Sequence, residues 1–320
     1  MSAIVKIETQ VSGHFELIVS GGARGRVVLA AFDNMILDAG LNQACGAAGT
    51  ASLVTNCQIG TGNTAPSAAQ TALVARVAST ANIIEVPSAN AAYVAGSPAY
   101  VNGSWKYRFA LGAVVGTMAE IGVGWASAGS LWARALITTS GGTPTTITVL
   151  ADEQLDVVYT LRVYSAGVDG SGSVVLGGIT YNYVSRRANF SASPSNPILY
   201  LPASLCGYND SNGQWAQMTM YTGAIGAETA APSGTSAVSY PNGTATPAAY
   251  SNNSYQRAVT YTCGLSGGNV SGGAKSILVT RCPAAGLSNG SFQFEFTPNI
   301  PKTASNTLSL TFMYSLARRP

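Results

Sequence analysis

The residues of this chain whose types and spacing could do chemistry are few, and each group lacks a part that its reaction needs. Gly60-Thr-Gly-Asn-Thr-Ala65 has the form GxGxxA, follows a predicted strand and precedes a short predicted helix, as a dinucleotide-binding turn does. The chain around it reads as strands and turns, without the alternating β and α units that such a turn serves, so no cofactor is predicted. Gly272-Gly-Ala-Lys-Ser276 approaches a phosphate-binding loop but has Ala274 where a glycine should precede the lysine, and no helix is predicted after it. The one histidine, His14, has no GxSxG-type elbow to work with, and a single imidazole leaves a zinc ion short of ligands. Asp152, Glu153 and Asp156 form an acidic cluster without the glycine and the Asp/Asn alternation of a calcium loop, and read as a turn before a strand. No pair among the 13 acids is identifiable as the acid and base of glycoside hydrolysis. The 5 cysteines (Cys45, Cys57, Cys206, Cys263, Cys282) contain no CxxC and are odd in number, which favours buried free thiols. No catalytic residue, metal ligand or cofactor-binding residue is assigned.

The elements that would carry such residues are strands. From Asp156 to Tyr164, Val157, Tyr159, Leu161 and Val163 alternate with other residues at the period of two that buries one face of a strand. Trp105, Tyr107, Phe109 and Leu111 alternate in the same way, Leu131 to Ile137 is a third candidate, and Ser140-Gly-Gly-Thr-Pro144 is turn chemistry. Nearer the N-terminus, residues 3–8 and 14–20 are expected to form a short antiparallel pair around Ser12-Gly13, followed by a strand from Arg26 to Phe32. Asp33 is placed as the N-cap of a short helix over NMILDAGLNQAC that ends at Gly46. Leu53 to Ile59 reads as a strand, and Pro66 is placed at the start of a helix of about two turns in the Ala-rich run that follows. Between Asn82 and Gly103, Pro87 and Pro98 restrict the chain to loops and edge strands.

The order of features repeats. Ile36-Leu37, Cys45-Gly46, Thr61-Gly62 and Ala65-Pro66-Ser67 recur as Ile198-Leu199, Cys206-Gly207, Thr222-Gly223 and Ala231-Pro232-Ser233. The alternating run from Leu155 to Val163 recurs from Leu308 to Leu316. The expected fold is therefore all-β, mainly two tandem related β-sandwich domains of jelly-roll-like type with a few short helices. Residues 1–165 would form the first domain, 166–173 a Gly/Ser-rich linker or hairpin tip, and 174–320 the second domain with long loops over 205–290.

The strings AEIGVGW, LWARALI, PTTITVLADEQLDVVYTLRVY and IGTGNTAPSAAQTAL resemble those of virion structural proteins of tailed bacteriophages, of the tail-fibre or minor tail protein type. The likeness covers much of residues 30–185 and returns in FQFEFTPNIPKTASNTLSLTFMYSLARRP at the C-terminus. It implies a structural role in the virion tail, assembly in the host cytoplasm, other tail proteins as partners and, because such proteins are most often trimers, a homotrimer.

Composition agrees with a non-enzymatic structural part. Only 9% of the residues are charged, against roughly a quarter in ordinary soluble domains. Neutral polar groups must then solvate the surface, which suits a rigid chain that packs against copies of itself. The net charge of +3 and the scattered basic residues offer no stripe for nucleic acid. The first residues do not form a signal peptide, and no apolar run approaches the ~20 residues of a membrane span, so the protein is expected not to be membrane-embedded. Host attachment is the expected role, with a cell-envelope receptor as possible partner and Tyr208, Trp215, Tyr221, Tyr240, Tyr250 and Tyr255 as candidate contact aromatics. Head decoration, a connector or baseplate part, and an envelope-glycan depolymerase are the alternatives.

Overall fold

The structure, a computed structural model, describes residues 4–46, 53–190, 196–202, 217–238, 243–280 and 291–319. It is an all-β, sandwich-like fold of several sheets. In the first half the strands are β1 (Ile4–Gly21), β2 (Val27–Asp33), β3 (Met35–Ile36), β4 (Asn56–Gly60), β5 (Arg76–Thr80), β6 (Ile83–Glu85) and β7 (Ala92–Val94). They continue with β8 (Tyr100–Arg108), β9 (Gly116–Met118), β10 (Glu120–Gly124), β11 (Leu131–Leu136), β12 (Ile147–Val149) and β13 (Glu153–Tyr164). The second half holds β14 (Gly170–Leu176), β15 (Ile179–Ala188), β16 (Gln217–Tyr221), β17 (Ser236–Val238), β18 (Gly243–Pro247), β19 (Gln256–Cys263), β20 (Ala274–Thr280), β21 (Ser291–Ile300) and β22 (Leu308–Arg318). One α-helix, α1 (Asp38–Gly46), lies among the described residues.

A single large sheet runs in the order β18-β19-β22-β1-β13-β8-β6, with β2 also on β1 and β7 also on β8. Two smaller sheets, β3-β11-β10-β4-β5 and β14-β15-β21-β20-β16-β17, each share a core with part of it. The first core joins Phe15, Trp105, Tyr107 and Tyr159 of the large sheet to Ile59, Ile121 and Trp132 of the five-stranded sheet. Across it the Trp132 Nε1–H donates to the Tyr159 hydroxyl at 2.7 Å, which satisfies both polar ends inside an apolar layer. The second core joins Val259, Tyr261, Leu310 and Phe312 to Met218, Ile277, Phe292 and Phe294 of the six-stranded sheet. Phe294 and Phe312 meet there with ring centroids 4.9 Å apart.

Much of the strand pairing recurs between the two halves. The antiparallel run β5-β4-β10-β11 has its counterpart in β17-β16-β20-β21, and β7-β8-β13 has its counterpart in β18-β19-β22. One difference lies beside β13 and β22. Residues 10–21 of β1 pair antiparallel with β13, and residues 4–11 of the same strand pair parallel with β22. The cores consequently do not part at one point of the chain: Val5 and Ile7 pack in the second, whereas Phe190, Tyr200, Leu201 and Leu316 pack in the first. Residues 166–169 lie between strands, and Gly170 to Ser173 already belong to β14.

Four local expectations are corrected. Residues 3–8 and 14–20 do not fold back on each other; β1 runs straight through Ser12-Gly13 because both of its edges find partners elsewhere. Gly13 serves close approach instead of a turn, since a Cβ there would lie 2.5 Å from the Tyr159 hydroxyl and 2.6 Å from Asn34 Nδ2. The first helix begins at Asp38, because Met35 and Ile36 are drawn out as β3 to pair with Arg134 and Ala133. No helix follows Pro66, and Leu111, placed on a buried face, is exposed in the turn after β8.

Cys45 and Cys57 are buried free thiols, Cys263 is buried as well, and Cys206 and Cys282 lie outside the described residues. Burial pushes the Cys45 thiol up to about 12 and that of Cys57 higher still, so neither is a thiolate at neutral pH. At pH 8 these three should resist a thiol reagent in the native protein and react at once in denaturant; fast native labelling of Cys57 would contradict the packing described.

Candidate functional site

Two strands of the five-stranded sheet carry its central polar group. β10 supplies Glu120 and β11 supplies Arg134, and both side chains are fully buried. Arg134 donates to Glu120 Oε2 through Nε at 3.1 Å and Nη2 at 2.8 Å. The carboxylate also accepts backbone N–H groups from Gly62, Val74 and Ala75, at 3.1, 3.0 and 2.6 Å. Arg134 in turn donates to Thr64 O at 2.8 Å and to Gln70 Oε1 at 2.7 Å. The Ala-rich segment over 61–75 is therefore spread around an ion pair and gives its hydrogen bonds to residues distant in sequence, which is why it is not helical. Burial would raise the Glu120 carboxyl, but the N–H groups of Ala75 and Val74 and the guanidinium of Arg134 hold it below the ordinary carboxylate value. Closed on every side and saturated with donors, Glu120 is an anchor and has no room to act as an acid or base.

The second half fastens its corresponding loop without the ion pair. Gln293, on β21, is fully buried and stands where Arg134 stands on β11. Its Oε1 accepts from Gly226 N at 2.8 Å, and its Nε2 donates to Arg187 O, Gly226 O and Ala227 O at 2.9, 3.0 and 2.9 Å. Glu295 Oε2 adds an acceptor for Ile225 N at 3.1 Å. The recurring Ala-Pro-Ser strings thus lie in loops that occupy the same place and are held from the same strand, one by charge and one by an amide.

A less settled group lies beside this amide, where β15 carries Arg186 and Arg187 to opposite sides. Arg186 forms an ion pair with Asp169 and donates to Gly226 O at 3.0 Å. Arg187 is 2% exposed, and of its donors Nη2 reaches Thr9 Oγ1 at 2.7 Å while Nε and Nη1 have no acceptor. Its guanidinium lies 4.2 Å from the Phe292 ring centroid and 5.2 Å from that of Phe190. Burial draws its pKa down to about 10, against the opposing pull of Tyr200, Tyr314 and Glu228, so it remains a cation at neutral pH. Arg187 lines two adjoining clefts, of 490 and 350 Å³.

The residues singled out from the sequence are dispersed. His14 Nδ1 lies 2.8 Å from Asp33 Oδ1 on an exposed face. Glu153 is paired with Arg24, and Asp156 accepts Nε and Nη2 of Arg108 at 2.8 Å each. Gly60 and Gly62 pack against Glu120, and Gly272 and Gly273 turn the chain into β20, whose Lys275 lies 3.6 Å from Glu295. Tyr250 donates to Asn42 Oδ1 at 2.6 Å and Tyr255 packs on the first core, so these two dock the second half onto α1. Tyr221 is half-buried on β16, while Tyr208, Trp215 and Tyr240 lie outside the described residues. Among the described residues no cluster of His, Cys, Asp and Glu could hold a metal ion, and no helix is long and apolar enough to cross a membrane. Glu120, Arg134 and Arg187 were not singled out; the signal available for the first two was that each is a charge inside a run of apolar strand residues. No protein-family model, curated protein or solved structure compared with the chain matches it.

Proposed function

We propose that the chain is a non-enzymatic structural protein of a phage particle, a tail-fibre or tail-tip subunit concerned with host attachment. One observation carries the reading. The strings AEIGVGW, LWARALI and IGTGNTAPSAAQTAL, on which the resemblance to tail proteins rests, meet in a single unit in which Glu120 of the first and Arg134 of the second fasten the loop of the third. A device that holds a loop rigid suits a load-carrying particle part. Immunogold labelling of the intact particle tests it: label at the tail tip or fibres supports the reading, and label spread over the head overturns it.

The same reading includes a homotrimer. The hairpin of β14 and β15 forms one edge of the six-stranded sheet, contains no charged residue from Gly170 to Val184, and exposes Val175, Ile179 and Val184. An uncharged edge of this kind is ordinarily covered, and closed homo-oligomers are the common means. Sedimentation of the purified protein at tens of micromolar should give a trimer; a persistent monomer would remove this part of the proposal.

A further inference from the structure

The hairpins that open the two halves correspond, and each leaves a different strand uncovered. β2 is followed at once by β3, which pairs with β11 as β15 pairs with β21, so β1–β2 in the first half answers to β14–β15 in the second. β1 finds β13 on its far side, but the matching edge of β22 is held by residues 4–11 of β1, and β14 is left with β15 alone. β15 is covered by β21 over residues 182–188, whereas β11 reaches only Met35 and Ile36 and leaves β2 with β1 alone. Among the described residues, β2 and β14 are the longest strands at the edge of a sheet, at 7 residues each, and the others have 5 or fewer.

Neither edge is blunted in the ways that keep edge strands apart. β14 has no charged residue, β2 has only Asp33 at its end, and neither has a proline or a lysine. Gly170 to Ser173 and Val175 are exposed on β14, as are Val27, Val28, Ala31 and Asp33 on β2. The direction of the backbone groups follows from the pairing. Gly177 and Gly178, at φ +56° and +83°, make a two-residue turn, so Leu176 and Ile179 bond to one another and, by alternation, Ser171, Ser173 and Val175 turn N–H and C=O outward. On β2 the bond from Asn34 N to Gly13 O sets the alternation, by which Phe32 and Ala30 bond to β1 while Asp33 and Ala31 face outward. We infer that β14 of one copy pairs with β2 of the next, an inference that rests on the trimer proposed above and names the strands that close it. A contact between two different edges repeats around a ring, whereas an edge paired with itself stops at two chains. Charge selects the direction. Parallel pairing sets the exposed Arg26, which has no ion pair among the described residues, beside Asp169, whose side chain is 40% exposed in its pair with Arg186; antiparallel pairing would bring Asp33 there instead.

The test is sedimentation of the full chain with one edge blocked at a time. Ser173→Pro and Ala31→Pro each remove an outward N–H and none that holds the hairpin. Where wild type sediments as a trimer, each variant should sediment as a monomer. An equimolar mixture of the two should form a dimer, because each supplies the edge that the other lacks. Circular dichroism checks that the variants are folded; if one is not, Val175→Lys and Val28→Lys, at exposed side chains, take their places. Variants that both remain trimers overturn the inference and leave the trimer standing. A monomer from one variant only, or a mixture that stays monomeric, overturns the pairing of β14 with β2. A monomeric wild type removes the trimer, and this inference falls with it.

Discussion

Replacing Glu120 with alanine should cost about 3–5 kcal/mol and lower the melting temperature of the first half by about 10 °C, because it leaves the buried Arg134 without a counter-charge. The loss has a second part. Gly62, Val74 and Ala75 each give an N–H to this carboxylate, and its removal leaves three backbone donors to find water or to break the loop open. The double change Glu120→Leu with Arg134→Leu separates the parts. It removes the lone charge, so it should recover part of the loss, yet it should stay less stable than wild type because the donors remain unmet. Thermal melts of the three proteins check this, and full recovery in the double variant would show that the loop needs no acceptor. The pH dependence follows from the same group. Glu120, Glu153, Asp156 and Asp38 are all held below the ordinary carboxylate value: Glu153 and Asp38 chiefly by hydrogen bonds from Arg24 and Arg318, Glu120 and Asp156 by donors that outweigh burial. Lowered carboxyls contribute stability that is fully present above about pH 4.3 and is lost as pH falls below it toward their native values. The melting temperature should therefore be level near neutrality and drop steeply in acid.

Removing residues 1–8 should damage the half of the protein farthest from them in sequence. Val5 and Ile7 are buried in the second core, and deletion of a buried aliphatic side chain costs roughly 2–5 kcal/mol. The truncation also uncovers most of the edge of β22 that β1 now pairs, a row of unmet backbone groups prone to association. The first core should be spared, since residues 10–21 keep their antiparallel partner β13. Hydrogen exchange read peptide by peptide would show lost protection over residues 256–263 and 308–318 and unchanged protection over 100–108. Equal loss in all three would mean that the cores do not respond separately.

Period-two runs such as Val157 to Val163 are legible in the sequence because burial on one face imposes them locally. The matching positions of Thr61-Gly62 and Thr222-Gly223 were legible for a related reason: each pair follows a strand with the same neighbours in its sheet. What sequence could not give was decided at long range. Gly13 has the letter of a turn residue, and only the approach of Tyr159 and Asn34 makes it a strand residue. The run after Pro66 has helical composition, and a carboxylate about 45–58 positions away takes its N–H groups instead. Arg186 and Arg187 are adjacent letters of one type, yet strand alternation turns one outward to Asp169 and the other into the interior. Tyr250 and Tyr255 read as loop aromatics free for contact, and their places beside α1 depend on a helix about 200 residues earlier.

The double pairing of β1 also sets an order of events during synthesis. β13 is made long before β22, so residues 10–21 can find their antiparallel neighbour early. Residues 4–9 cannot do the same with β22, because Ser315 bonds to Ile7 across 308 positions of sequence and is made that much later. Until then Val5 and Ile7 remain without their core, beside a nascent sheet edge that any other chain could join. Pairing over such separations is slow, since a large loop must close before any contact rewards it. Residues 4–9 therefore act as a latch that can shut on the second core only once β22 has been made.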